Sequence, residues 1–289
     1  MEVRTNGGVK VPHAEFFPPP PSPRAPSVWA RRIAEDRREL VRFWPVVQNM
    51  VVQELRVRYQ RSLLGFFWSL LNPLLMLATL GFVFAHMMKT VSNYPVFLFA
   101  GMVPWSFLNT SLNDSATSII NNEGLIRKIY LPKLIFPLAR VLIALVTFVF
   151  SMAAMFVLLL AMHARPSWAL LFLPVVVALF AGFTLGLSLI IATANTFYRD
   201  TGHLISVFLQ AWYFVTPILY PTTEFPEGSR WLFRLNPAYY FIEMFQDVLR
   251  WGRMPEFGVV AAAAVIAAVS LGVGYAVFKS QEDKMVFRL

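Results

Sequence analysis

Residues 168–197, WALLFLPVVVALFAGFTLGLSLIIATANTF, contain no Asp, Glu, Lys or Arg. A helix crossing the hydrocarbon core of a bilayer needs about 20 such residues, so this run is long enough to span and to tilt or extend beyond it. It is one of six. Residues 68–88, 94–113, 141–162, 204–221 and 257–278 are equally free of charge, with the third span starting at about residue 136 and the fifth being short. Overall, 57% of the chain is apolar and 14% charged, too little polar surface for water-exposed globules of this length. The expected fold is therefore all-α: a polytopic membrane protein with six transmembrane helices, which places both termini on one side.

Lys and Arg are retained on the cytoplasmic side. The terminal side carries Arg31, Arg32, Arg37, Arg38, Arg42, Arg56, Arg58 and Arg61 before the first span, then Arg127, Lys128, Lys133, Arg140, Arg199, Lys279, Lys284 and Arg288. The other side has Lys89 and Arg165 in short loops and, in residues 222–256, four arginines outnumbered by acids. Both termini are thus expected in the cytoplasm. The net charge of +9 follows from topology and attraction to anionic lipid, and calls for no nucleic acid.

Residues 1–28 are Pro-rich around Pro18 to Pro21 and lack the apolar core of a cleavable signal peptide; they read as a disordered cytoplasmic tail. Residues 29–67 read as cytoplasmic and interfacial helices, and 68–289 as the transmembrane domain. Val47, Val51, Leu55 and Tyr59 recur every four residues opposite Asn49, Gln53, Arg56 and Gln60, the pattern of an amphipathic helix at the membrane interface. A simple topological anchor would show the same pattern.

The inner loop 114–133 mixes charge with Leu125, Ile126, Ile129 and Tyr130, which suits docking to a cytosolic partner; an interfacial helix with snorkelling basic side chains fits equally. Phe197-Tyr198-Arg199-Asp200 is so short that the fourth and fifth spans must form a tight hairpin. Residues 222–256 are too apolar for a solvated loop, so two short helices broken near Asn236-Pro237 are expected to re-enter the outer leaflet against protein. A flat surface helix is the alternative.

Missing chemistry narrows the function. There is no G-x-x-x-x-G-K-[ST] phosphate cradle, no acid inside a span as ion-coupled transporters usually bury, and no cysteine. The histidines, His13, His86, His163 and His203, are scattered too widely to serve as metal ligands. No catalytic, cofactor or metal residues are expected, and a membrane-embedded glycan-modifying transferase has no convergent acid–base set to work with.

Six motifs occur in order: Tyr59-Gln60-Arg61-Ser62-Leu63-Leu64-Gly65-Phe66-Phe67-Trp68 leading to Asn72-Pro73; Gly101-Met102-Val103-Pro104-Trp105; residues 121–133; Phe197-Tyr198-Arg199-Asp200; Thr216-Pro217-Ile218-Leu219-Tyr220; and Asn236-Pro237. In these the sequence, over about residues 44–289, resembles the type-2 ABC transporter permeases that export O-antigen, capsular polysaccharide and teichoic acid. The resemblance implies a homodimer in the plasma or inner membrane. Two copies of a separate cytosolic ATPase subunit, which holds the ATP and Mg, would bind underneath. The cargo it implies is a polyprenyl-linked polysaccharide, with a drug or small lipid as the alternative.

It further implies coupling to the ATPase through Arg56 and Arg58 of the N-terminal helix and Glu123, Leu125, Arg127, Lys128 and Tyr130 of the inner loop. The outer gate would include Asn236, Pro237, Tyr239 and Tyr240. A pore for a sliding sugar chain is expected to carry aromatic faces, for which Phe82 and Phe84 of the first span and Phe208, Trp212, Tyr213 and Phe214 of the fifth are candidates. For each of these, a lipid-facing position is the simpler alternative.

Overall fold

The computed structural model describes residues 26–59, 94–161 and 167–288, with Leu75, Thr79 and Val83 between them. Apart from those three residues, the first expected span, including Phe82 and Phe84, lies outside the described residues, as does the N-terminal tail to residue 25. The chain divides into two units, 1–42 and 43–289. In the first, α1 (Pro26–Arg42) is a charged helix with proline at its opening position, where a missing N–H costs nothing.

The second unit contains α2 (Trp44–Tyr59), α3 (Tyr94–Ala116), α4 (Ile135–Ala161), α5 (Leu173–Phe197), α6 (Thr201–Val215), α7 (Pro237–Gln246) and α8 (Phe257–Met285). Every regular element among the described residues is helical. Four stretches there are long and apolar enough to cross a membrane: Tyr94–Ala116, Ile135–Ala153, Trp168–Phe197 and Phe257–Met285.

The expected fifth span differs in length. Helix α6 has 15 residues and stops at Thr216, whose extended backbone (φ −87°, ψ 133°) is what a following proline enforces. A run free of charge continues to Pro221, but Pro217 ends the helix at Val215, six residues earlier. At about 1.5 Å per residue, α6 alone is shorter than the hydrocarbon core.

Helix α3 is the hub, packed against α4 and α5 along much of its length and against α6 and α7 over shorter stretches. Its core is aromatic: Phe107 meets Phe148 and Phe180 at centroid distances of 5.5 and 5.6 Å, and Phe183 stacks on Phe241 at 4.8 Å. These rings tie α3, α4, α5 and α7 into one cluster. In lipid the hydrophobic effect does not drive helices together, so such close packing has to supply the attraction.

The tightest seam lies between α5 and α8. A methyl placed on Gly186 would collide with the backbone of Ser270, and one on Gly274 with the backbone of Gly186. Small residues at this crossing let the two backbones touch, and Ser270 Oγ donates to the Phe183 carbonyl at 2.9 Å.

The α5–α6 turn is as tight as its length demands. Asn195 fastens it: Nδ2 donates to the Ala116 carbonyl (2.7 Å) at the end of α3, and Oδ1 accepts from the Gly202 N–H (2.8 Å) at the start of α6. One buried amide thereby satisfies groups that two helix ends leave without intrahelical partners.

Candidate functional site

Three places hold the residues singled out by sequence. The first is a groove of about 530 Å³ between α3, α4 and α6. Phe99, Phe107, Phe148 and Leu209 form its apolar wall, while Ser106, Asn109, Thr110, Thr147, Ser151 and Gln210 supply neutral hydrogen-bonding groups. This polar row continues toward the C-terminal end of α3: Asn113 Nδ2 donates to the Asn109 carbonyl (2.9 Å), and Ser206 Oγ donates to Asn113 Oδ1 (2.6 Å), bridging α3 to α6.

Of the candidate pore aromatics, Tyr213 and Phe214 line the groove. Tyr213 is half-buried, and its buried hydroxyl has no hydrogen-bond partner among the described residues. Phe208 and Phe214 are exposed. Trp212 is half-buried and belongs to an aromatic chain, 5.6 Å edge-on to Trp105 and 5.4 Å from Phe208. The neutral polar row on α3 was not singled out from the sequence. Its signal was available, since Ser106, Asn109, Thr110 and Asn113 recur at helical spacing inside a charge-free run.

The second place is the segment between α6 and α8. One turn, Trp231–Arg234, precedes α7, and the break between them falls at Asn236-Pro237 as expected. Asn236 is buried at the centre of a knot. Its Oδ1 accepts from the Ala238 N–H (3.0 Å), capping α7, and from Trp212 Nε1 (2.8 Å); its Nδ2 donates to Thr216 Oγ1 (2.9 Å). Thr216 Oγ1 in turn donates to the Trp212 carbonyl (2.8 Å). One side chain therefore joins the end of α6 to the start of α7, and Pro237 takes the first helical position that suits proline.

Tyr239 and Tyr240 are half-buried neighbours at 5.4 Å. Tyr240 Oη donates to the Arg234 carbonyl at 2.9 Å, and Tyr239 lies one turn before Glu243 on α7. Burial raises both the Tyr239 hydroxyl and the Glu243 carboxyl above their ordinary ranges.

The third place is the end of the bundle where α2 packs on α4 and where residues 114–133 lie. Val47 of α2 is fully buried, and Glu54 pairs with Arg140 of α4 at 3.1 Å and more loosely with Arg58 at 3.9 Å. Arg56 is exposed. In the inner loop, Glu123 and Arg127 pair one turn apart at 2.7 Å, while Leu125, Lys128, Ile129 and Tyr130 are exposed, Tyr130 to 75%. Ile126, expected on the same apolar edge, instead turns inward against a small cluster formed by Ile119, Leu189, Ala192, Phe278 and Met285. The loop is held to the C-terminal helix where the Lys133 N–H donates to Glu282 (3.3 Å), itself paired with Lys279 (2.6 Å).

Relatives share this sequence over most of its length. A family model described as ABC-2 type transporter matches residues 45–249. The chain is 32% identical over 250 residues to an O-antigen export system permease protein, RfbA, of Myxococcus xanthus, covering 86% of this chain and 96% of that protein. It is 32% identical over 204 residues to a Klebsiella pneumoniae protein of the same name, covering 70% and 79%. To the polysialic acid transport protein KpsM of Escherichia coli it is 24% identical over 257 residues, covering 83% and 95%. With more than half its length matched by the family model and a relative at this identity aligned nearly end to end, the chain belongs to the ABC-2 type transporter family of membrane proteins.

Proposed function

We propose that this chain is the transmembrane subunit of an ATP-driven exporter that moves a lipid-linked polysaccharide across the plasma or inner membrane. It works as a homodimer over two copies of a separate ATPase subunit, which carries the ATP and Mg. Six spans place both termini in the cytoplasm, with the first span completing the four long helices and α6. The names of the relatives support a glycan cargo.

The observation that carries this reading is the groove between α3, α4 and α6. Its hydrogen-bonding groups are all neutral amides and hydroxyls, set beside aromatic rings. A sugar hydroxyl exchanging water for such a group gains only about 0.5–1.5 kcal/mol, so a chain can slide past without being held. Charged groups at the same places would trap it. The orphan Tyr213 hydroxyl is one more group that a passing sugar or a water can satisfy.

The exposed Leu125, Ile129 and Tyr130 edge beside Lys128, together with Arg56 and Arg58 of α2, receives the ATPase. Its movement reaches the groove through the Glu54–Arg140 pair, because Arg140 lies on α4, one wall of the groove. At the other end, α7 with Tyr239 and Tyr240 acts as the gate, and Asn236 sets its angle to α6.

Deleting the gene and labelling surface glycan in whole cells tests the reading. Surface polymer should disappear while lipid-linked polymer accumulates inside, and the intact chain should restore export. Unchanged surface glycan in the deletion strain would overturn it.

A further inference from the structure

A second cavity, of about 490 Å³, opens at the end of the bundle that carries the gate segment, within the usual size for small-ligand sites of about 300–1,000 Å³. Its chemistry is opposite to that of the groove. Helix α7 and the wide turn after it (Asp247–Trp251) aim Tyr239, Glu243 and Asp247 into it at every fourth position, and Gln246 and Arg250 form a parallel line beside them.

These groups are held in place before any ligand arrives. Gly252 adopts the left-handed conformation (φ 60°), so the chain doubles back and Arg253 bonds Asp247 twice, backbone N–H to carbonyl at 3.1 Å and Nε to Oδ1 at 2.8 Å. A side chain at Gly252 would be strained and would also meet Ser167, whose hydroxyl donates to the Gly252 carbonyl. The Arg250 guanidinium lies 4.9 Å from the Phe97 ring and 4.1 Å from that of Trp251. Gln246 Nε2 donates to the Pro217 carbonyl (3.1 Å), which directs its amide. Glu243 Oε2 is buried without a hydrogen-bond partner among the described residues.

We propose that this cavity is a glycan-binding subsite that takes a short, uncharged pyranose segment of the emerging chain. The proposal rests on the export reading and adds to it where the polymer is caught after it leaves the groove. Vicinal hydroxyls donate to Glu243 and Asp247 and accept from Arg250, a match that uses both functions of a hydroxyl. A polyanion would meet three carboxylates, those of Glu224, Glu243 and Asp247. A bare metal ion finds no group of three ligating side chains among the described residues. An acyl chain would bury charged walls. Because hydrogen bonds to charged groups are stronger than those to neutral ones, the cavity holds what the groove lets slide. A segment bound there cannot slip back, and export gains direction.

The test uses the intact transporter complex in lipid nanodiscs and needs no transport. Saturation-transfer NMR is run with a panel of uncharged methyl pyranosides and their short oligomers, on the wild type and on Glu243→Gln and Arg250→Lys. At least one glycoside should bind the wild type and lose about tenfold in affinity in each variant. Equal binding in wild type and variants, or no glycoside binding to the wild type, overturns the proposal. Glu243→Gln preserves shape and decides the matter alone should the arginine variant fold poorly. Cell-surface labelling of the deletion strain is a separate measurement, so the export reading and the subsite can fail independently.

Discussion

The segment between α6 and α8 and the groove both adjoin helix α6, yet one is fastened and the other left looser among the described residues. Around Asn236 and Asp247, side chains bond across 20 residues or more of sequence: Trp212 to Asn236, Asn236 to Thr216, Gln246 to Pro217, Ser167 to Gly252. Along the groove, only Leu209 of α6 is fully buried, and a tyrosine hydroxyl is left without a partner among the described residues. The difference teaches where motion is affordable. The bonds around Asn236 tie the start of α7 to the end of α6, whereas the groove side of α6 is held by fewer such bonds among the described residues.

That contrast can be broken at graded cost. The largest effect belongs to neither region but to the seam that anchors both. Gly186→Val should destabilise the chain by about 4 kcal/mol or more, because backbone rather than a flexible side chain occupies the space, and thermal unfolding in detergent reads the loss. Asn236→Ala should cost about 2–3 kcal/mol, a helix cap plus two cross-bonds, and should shift the Trp212 fluorescence as its indole N–H loses its acceptor. An unchanged melting temperature there would show that the cap is not fastened through Asn236.

Glu54→Gln should lower stability by less than about 1 kcal/mol, since the carboxylate is partly exposed, yet uncouple ATP turnover from glycan appearance. Tight coupling in that variant would remove the Glu54–Arg140 pair from the transmission route. Smallest in stability is Gln210→Leu, expected within about 0.5 kcal/mol of wild type, with export reduced all the same. Normal export would show that polymer does not touch this wall of the groove.

Much of the helical framework could be read from charge-free runs. The run 168–197 coincides with the capped turn at Trp168 followed by α5, and the residues starting at Tyr94 and Phe257 open α3 and α8. Such runs mark where a helix is allowed in lipid, but not where its backbone stops. Pro217 therefore shortened α6 below the expected span, and α8 continued past residue 278 into a charged turn that solvent tolerates.

The candidate site was legible in part. Asn236-Pro237 gave the break before α7 because a capping side chain followed by proline is a local signal. The buried role of Asn236 was not legible, as its other partners lie 20 and 24 residues away. The role of the aromatics is not legible for a related reason. The candidate rings of the first and fifth spans look no different in sequence from Phe107, Phe148, Phe180, Phe183, Phe241 and Phe245, which pack with one another in the core, and no linear pattern separates a ring facing a pore from one facing another helix. Neutral Asn109, Asn113 and Gln210 passed unnoticed in spans defined by lacking charge. Glu243, Asp247, Arg250 and Arg253 were weighed for topology alone, although their spacing lines one wall of a cavity.

The Gly186–Gly274 contact also bears on how such a sequence can change over generations. A clash between ordinary side chains can be relieved by trimming the neighbour, but here the obstacle is backbone, that of Ser270 for Gly186 and that of Gly186 for Gly274. A mutant at either glycine has no local suppressor. Revertants selected for restored surface glycan should map to residues that let α8 slide or rotate against α5, marking out the permitted directions of movement of that helix pair.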